Sequence, residues 1–141
     1  MNRITHLRPE FVEFMPASFD SGVIYVSRRY STATHLCCCG CGLRVVTPFN
    51  AAKWNLSERD GTFSLHPSIG NWSFPCQSHY WIEDNNVRWA GAMSQVGIAA
   101  VRARDRSDAD RLVRENWLAA MRRRLRGVWY AAVELITAWW R

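Results

Sequence analysis

Two short cysteine-bearing stretches constrain this chain more than anything else in it. The first runs His35-Leu36-Cys37-Cys38-Cys39-Gly40-Cys41-Gly42, and the second, 34 residues further on, is Cys76-Gln77-Ser78-His79. All five cysteines of the 141-residue chain lie in these two places. Thiolates and imidazoles are the ligands zinc prefers, and a structural zinc takes four of them. Gly40 and Gly42 relax the first turn, and Cys76-x-x-His79 supplies a second pair at a spacing usual for zinc. The N-terminus, MNRITHLRPEFVEF, has no apolar core of the kind a secretory signal carries. A cytoplasmic setting is therefore expected, where an odd number of clustered cysteines reads as metal ligands before disulfides.

The ligand set stays open at this level. In extended chain Cys37, Cys39 and Cys41 face one way and Cys38 the other, which sets Cys38 aside. Five residues then compete for four places: Cys37, Cys39, Cys41, Cys76 and His79. A metal shared between the two stretches would tie together a body whose core is marginal by itself.

Turn signals divide that body into short strands. Val23–Ser27 and Leu43–Thr47 are β-prone runs. Trp54–Glu58 and Thr62–Leu65 flank Asp60-Gly61, and His79–Glu83 and Val87–Ala90 flank Asp84-Asn85-Asn86, so two hairpins are expected. The fold class is mainly β: a small antiparallel sheet with hairpins stapled by zinc, followed by a C-terminal α-helical tail, α+β overall. Residues 1–92 are expected as the zinc-binding β domain, 93–106 as a linker and 107–141 as a basic amphipathic helical tail. Ser107 with Asp110 resembles a capping box, Leu112 to Leu125 recur at helical spacing, and Gly127 is a candidate helix end.

Charge follows the same division. The net charge is +6, yet residues 1–101 contribute only +1, whereas residues 102–141 hold ten arginines against five acids. A basic tail suits an acidic protein surface or nucleic acid. Nucleic acid is the less favoured partner, because the aromatic-rich body carries almost no excess positive charge. Val128 to Trp140 is apolar but too short to cross a bilayer, and no transmembrane segment is expected. Docking of this run on the sheet is the expected arrangement; pairing with a partner, including a second copy through the C-terminal helix, and lying on a membrane surface are the alternatives.

Between the cysteine stretches, residues 65–76 read as a loop dense in turn formers. Ser68, Ser73 and Ser78 are candidate nucleophiles, with His35, His66 and His79 as candidate bases. A shared metal would bring His35 and Ser78 into one neighbourhood, and His79 becomes the better base if it is not a ligand. Glu13 is a candidate to orient a histidine. Phe74 and the tryptophans Trp54, Trp72, Trp81 and Trp89 are expected to pack in the core and across hairpins.

Several pieces taken together resemble a known family. They are Glu10–Phe14, Gly22–Val26, His35-Leu36-Cys37 with Cys39-Gly40-Cys41-Gly42, Val45–Pro48, and Pro67–Trp72 through Ser78-His79-Tyr80-Trp81. Over roughly residues 8–92 they are similar to a bacterial domain-of-unknown-function family, number 6527, often encoded beside enzymes like those that activate and conjugate ubiquitin. The resemblance implies a serine-type peptidase or isopeptidase with structural zinc that processes or removes a ubiquitin-like protein. Its implied partners are that protein or its conjugating enzymes, and its catalytic candidates are Ser78, Ser68, His35 and His79. A non-catalytic zinc-stabilised interaction module of such a system is the competing reading.

Overall fold

The computed structural model describes residues 2–50 and 53–139, with all of their side chains except those of 128 and 130–139. Eight strands precede one helix: β1 (Arg8–Phe11), β2 (Val23–Ser27), β3 (Thr32–Leu36), β4 (Arg44–Pro48), β5 (Asn55–Arg59), β6 (Thr62–Gly70), β7 (His79–Glu83), β8 (Asn86–Trp89) and α1 (Gln95–Trp139). They form two four-stranded sheets, β1-β2-β3-β4 and β5-β6-β7-β8. Every pairing is antiparallel except β1 with β2. The architecture is α+β and mainly β, as expected, although the strands make two sheets where one was anticipated.

Both sheets feed one core. Ile24, Val26, Ala33 and Val45 from the first pack with Phe63, Leu65, Ile69, Tyr80, Ile82 and Val87 from the second. The alternation of buried and exposed residues along β7 (His79 to Glu83) is that of a strand with one face on a core. Both expected hairpins form. Asp60 and Gly61 sit at φ 49° and 78°, and Asp84 and Asn85 at 48° and 67°. Positive φ at both central residues gives the turn the twist that two antiparallel strands require.

The structure departs from expectation in the second half of β6. Turn formers predict a loop from Leu65 onward, yet the strand continues to Gly70. It does so through an irregularity. Leu65 pairs with Ile82 and Ile69 with Tyr80, so the register shifts between them. Pro67 lacks the N–H that a regular ladder needs, and a bulge is where a strand tolerates it. β1 and β3 carry weaker signals in sequence and were not anticipated.

By its internal contacts the chain divides into residues 1–101 and 102–141. The helix starts at Gln95, inside the stretch expected as a linker, and runs through Gly127. Its cap is Ser94 and not Ser107: the Ser94 hydroxyl accepts the Gly97 N–H at 3.2 Å. Ile98 in the first turns is buried, whereas Val113, Trp117, Leu125 and Trp129 are exposed. The expected docking of Val128 to Trp140 falls on side chains outside the described residues. Among the described residues, no helix is long and apolar enough to cross a membrane.

Leu65 is fully buried where the two sheets meet. Leu65→Ala should therefore lower unfolding free energy by about 2–5 kcal/mol, read from urea denaturation at constant m-value.

Candidate active site and metal centre

The first cysteine stretch is a closed loop at the end of β3. Cys37 N–H donates to Leu43 O at 2.8 Å, and Gly40 N–H to Cys37 O at 3.0 Å. Gly40 and Gly42 turn the chain at φ 82° and 76°, conformations that cost glycine little. The loop carries Cys37, Cys39 and Cys41, and Cys76 arrives from the segment joining β6 to β7. The four Sγ atoms all lie within 4.8 Å of one another. Cys37 is 3.4 Å from Cys39 and 3.9 Å from Cys76, and Cys41 is 3.9 Å from Cys76. Zinc with four thiolates at about 2.3 Å sets its sulfurs about 3.8 Å apart, so the spacing fits a tetrahedral metal.

The surroundings suit that role. Burial pushes the Cys37 and Cys39 thiols up. Cys76 is brought down to about 7: burial opposes its ionisation, but hydrogen bonds from the Ser78 side chain and backbone and from the Cys39 and Cys41 thiols outweigh it. Cys38 lies outside the group. It is fully buried in the core, with a thiol that burial, partly offset by a hydrogen bond to Tyr80, pushes up to about 12.

Ser78 lies beside the thiols, and among the described residues no histidine is hydrogen-bonded to its hydroxyl. Its hydroxyl accepts from Asn71 Nδ2 at 2.8 Å and lies 3.1 Å from Cys37 Sγ and 3.6 Å from Cys76 Sγ. Its own proton is thus free to serve a thiolate. His35 is not within its reach. That ring is fully buried, with Nε2 2.8 Å from the Tyr80 hydroxyl, and burial pushes its pKa down to about 4. Tyr80 and Asn71 stand between His35 and Ser78, linked by a hydrogen bond of 3.4 Å. Glu13 orients no histidine here; it forms an exposed ion pair with Arg29.

A serine and a histidine do meet elsewhere. His79 lies outside the four-sulfur group, and its Nε2 is 3.0 Å from Ser68 Oγ. The β6–β7 pairing places this pair: His79 is registered opposite Gly70, and Ser68, two residues before Gly70 on the same face of the strand, is its diagonal neighbour. Two rings flank the imidazole, Trp72 with its centroid at 4.9 Å and Trp81 at 5.3 Å. Gly70 makes room for the first, since a Cβ there would overlap the Trp72 indole. Burial pushes the His79 pKa down from its ordinary value. Its Nδ1 has no hydrogen-bond partner among the described residues. Ser68 also lines an open cavity of about 960 Å³ together with Arg28, Lys53, Trp54, His66 and Trp81.

The expected meeting of His35 with Ser78 is not seen, whereas Ser68 and His79, both candidates in sequence, lie within hydrogen-bond distance. Asn71, Trp72 and Trp81 were not anticipated in the site. Asn71 carries no motif, and the tryptophans look like ordinary core residues until the β6 register is known.

Compared with known proteins, residues 11–90 match the profile of a family described as "Bacterial ubiquitination-like system serine protease (BubE)". The match takes in β2 to β8, all four clustered cysteines, Ser68 and His79. No curated protein and no solved structure matches the chain.

The four-sulfur geometry predicts one bound metal per chain. Cys39→Ser and Cys76→Ser should each lose it, and Cys38→Ser should keep it, as read by elemental analysis of purified protein.

Proposed function

The chain belongs to the family of bacterial ubiquitination-like system serine proteases, and from that premise we propose that Ser68 is its nucleophile and His79 its general base. The observation that carries this reading is the 3.0 Å approach of Ser68 Oγ to His79 Nε2 at the edge of a cavity. The substrate is the C-terminal tail of a ubiquitin-like protein, either extended as a precursor or joined to a target or conjugating enzyme.

In the acylation step His79 Nε2 takes the hydroxyl proton as Ser68 Oγ attacks the tail's terminal carbonyl. The tetrahedral intermediate collapses, the leaving amine or thiol takes that proton from His79, and the tail remains as an ester on Ser68. Water, deprotonated by the same imidazole, then releases the acid. Asn55 and Lys53, which line the cavity with Ser68, offer N–H donors to the tail's carbonyls.

Cys37, Cys39, Cys41 and Cys76 hold zinc in this account. Four thiolates fill a tetrahedral zinc, so the metal supplies a cross-link and no open coordination position. Ser78 and Asn71 donate toward Cys37 Sγ, at 3.1 Å and 3.6 Å, and soften the charge of four thiolates around one divalent ion.

The competing reading, a non-catalytic module that holds a conjugation complex together, draws on the exposed Val113, Trp117, Leu125 and Trp129 of α1. One experiment separates the two. A neighbouring ubiquitin-like protein with a C-terminal extension is incubated with native protein and with Ser68→Ala, His79→Ala and Ser78→Ala. The peptidase account expects Ser68→Ala and His79→Ala to lose activity by about 10³-fold or more, and Ser78→Ala to retain cleavage wherever it retains metal. An intact precursor with native protein favours the module.

The pH profile follows from the base. His79 must be neutral to take a proton, and burial holds its pKa below the ordinary 6.5. Thus kcat/KM should rise with pH through a midpoint below 6.5 and be level at neutrality, as measured on the same precursor.

A further inference from the structure

In a serine–histidine–aspartate triad the acid has two tasks. It fixes the imidazole with the correct nitrogen toward the serine, and it stabilises the imidazolium that forms when the serine proton moves. His79 has no such partner: its Nδ1 meets no acceptor among the described residues. Yet its Nε2 is held at 3.0 Å from Ser68. Something else must set the ring.

The structure assigns both tasks to Trp72 and Trp81, as positioning residues that act through His79. This rests on the Ser68–His79 reading above. The two indoles flank the imidazole at centroid distances of 4.9 Å and 5.3 Å. A cation within about 6 Å of an aromatic centroid is attracted by the ring's negative face. The neutral imidazole gains little from that field, whereas the imidazolium of the acylation step gains more, so the effect falls on the transition state and not on binding.

Each indole is itself fixed. Trp72 is nearly buried and occupies the space that a side chain at position 70 would need. Trp81 lies under the Arg88 guanidinium, 4.5 Å from its ring centroid. Arg88 in turn is held by Glu83 through two hydrogen bonds of 2.9 Å, so its charge is matched where it meets the ring. On the cavity side, the titratable and charged neighbours of Ser68 are His66, Lys53 and the Arg28–Glu58 ion pair. None of these is hydrogen-bonded to His79 Nδ1.

The test is covalent labelling of the full metal-loaded chain by a fluorophosphonate, with the limiting rate and the half-saturating concentration measured separately. Trp72→Leu should lower the limiting rate about tenfold and leave the half-saturating concentration in place, and Trp72→Phe should restore most of the loss. Trp81→Leu should behave like Trp72→Leu, and it decides the matter if thermal unfolding shows Trp72→Leu to be unfolded. Leucine variants that label at the native rate, or a phenylalanine variant as slow as leucine, overturn the aromatic role. Ser68→Ala and His79→Ala are the controls for the underlying reading. If Ser68→Ala labels like native protein, the nucleophile assignment fails, whatever the tryptophans do.

Discussion

Asn71 and Ser78 close the segment between β6 and β7, and both halves of the site depend on that closure. The Asn71 N–H donates to Ser78 O at 2.9 Å, and Asn71 Nδ2 to Ser78 Oγ at 2.8 Å. Within the closed segment sits Cys76, which must reach the loop at the end of β3 to complete the four-sulfur group. Immediately outside it lie Gly70 and His79, whose pairing starts the β6–β7 ladder. A metal on Cys76 would pin the segment from one side, and the strand ladder pins it from the other. The serine–histidine pair is built at the border between them.

This arrangement separates two chemistries that the sequence places side by side. Ser78 immediately precedes β7 and His79 opens it, and successive side chains of extended chain point to opposite faces. Ser78 turns toward the thiols and is consumed by them. His79 turns toward Ser68, which lines the cavity. The buried His35–Tyr80–Asn71 chain runs behind the metal side, where an imidazole held near pKa 4 by burial is neutral and serves structure.

Much of the fold was legible because its signals are local. Asp60-Gly61 and Asp84-Asn85 demand positive φ, and the hairpins followed. The metal site was legible as a pool of candidates, since cysteine spacing states which residues can meet but not which one is left over. Cys38 was set aside by strand alternation, and it lies in the core. The reach of β6 was not legible, because His66-Pro67-Ser68 reads as a turn, and only pairing with β7 turns it into a bulge within a strand. The Ser68–His79 pair hung on that register, and so did the two tryptophans around it. The start of α1 was missed for a local reason: Ser94 caps it with glycine at the third helical position, where a glutamate would have announced it.

In the proposed mechanism the terminal acyl group of the substrate becomes attached to Ser68 Oγ. Mass spectrometry of the acyl-enzyme tests it most directly. The full metal-bound protein is mixed with a ubiquitin-like protein carrying an activated ester at its C-terminus, quenched in acid and digested. The account predicts the tail as an ester on the peptide containing Ser68, absent from Ser68→Ala. An ester on Ser78 instead, or an adduct that survives in Ser68→Ala, would contradict it.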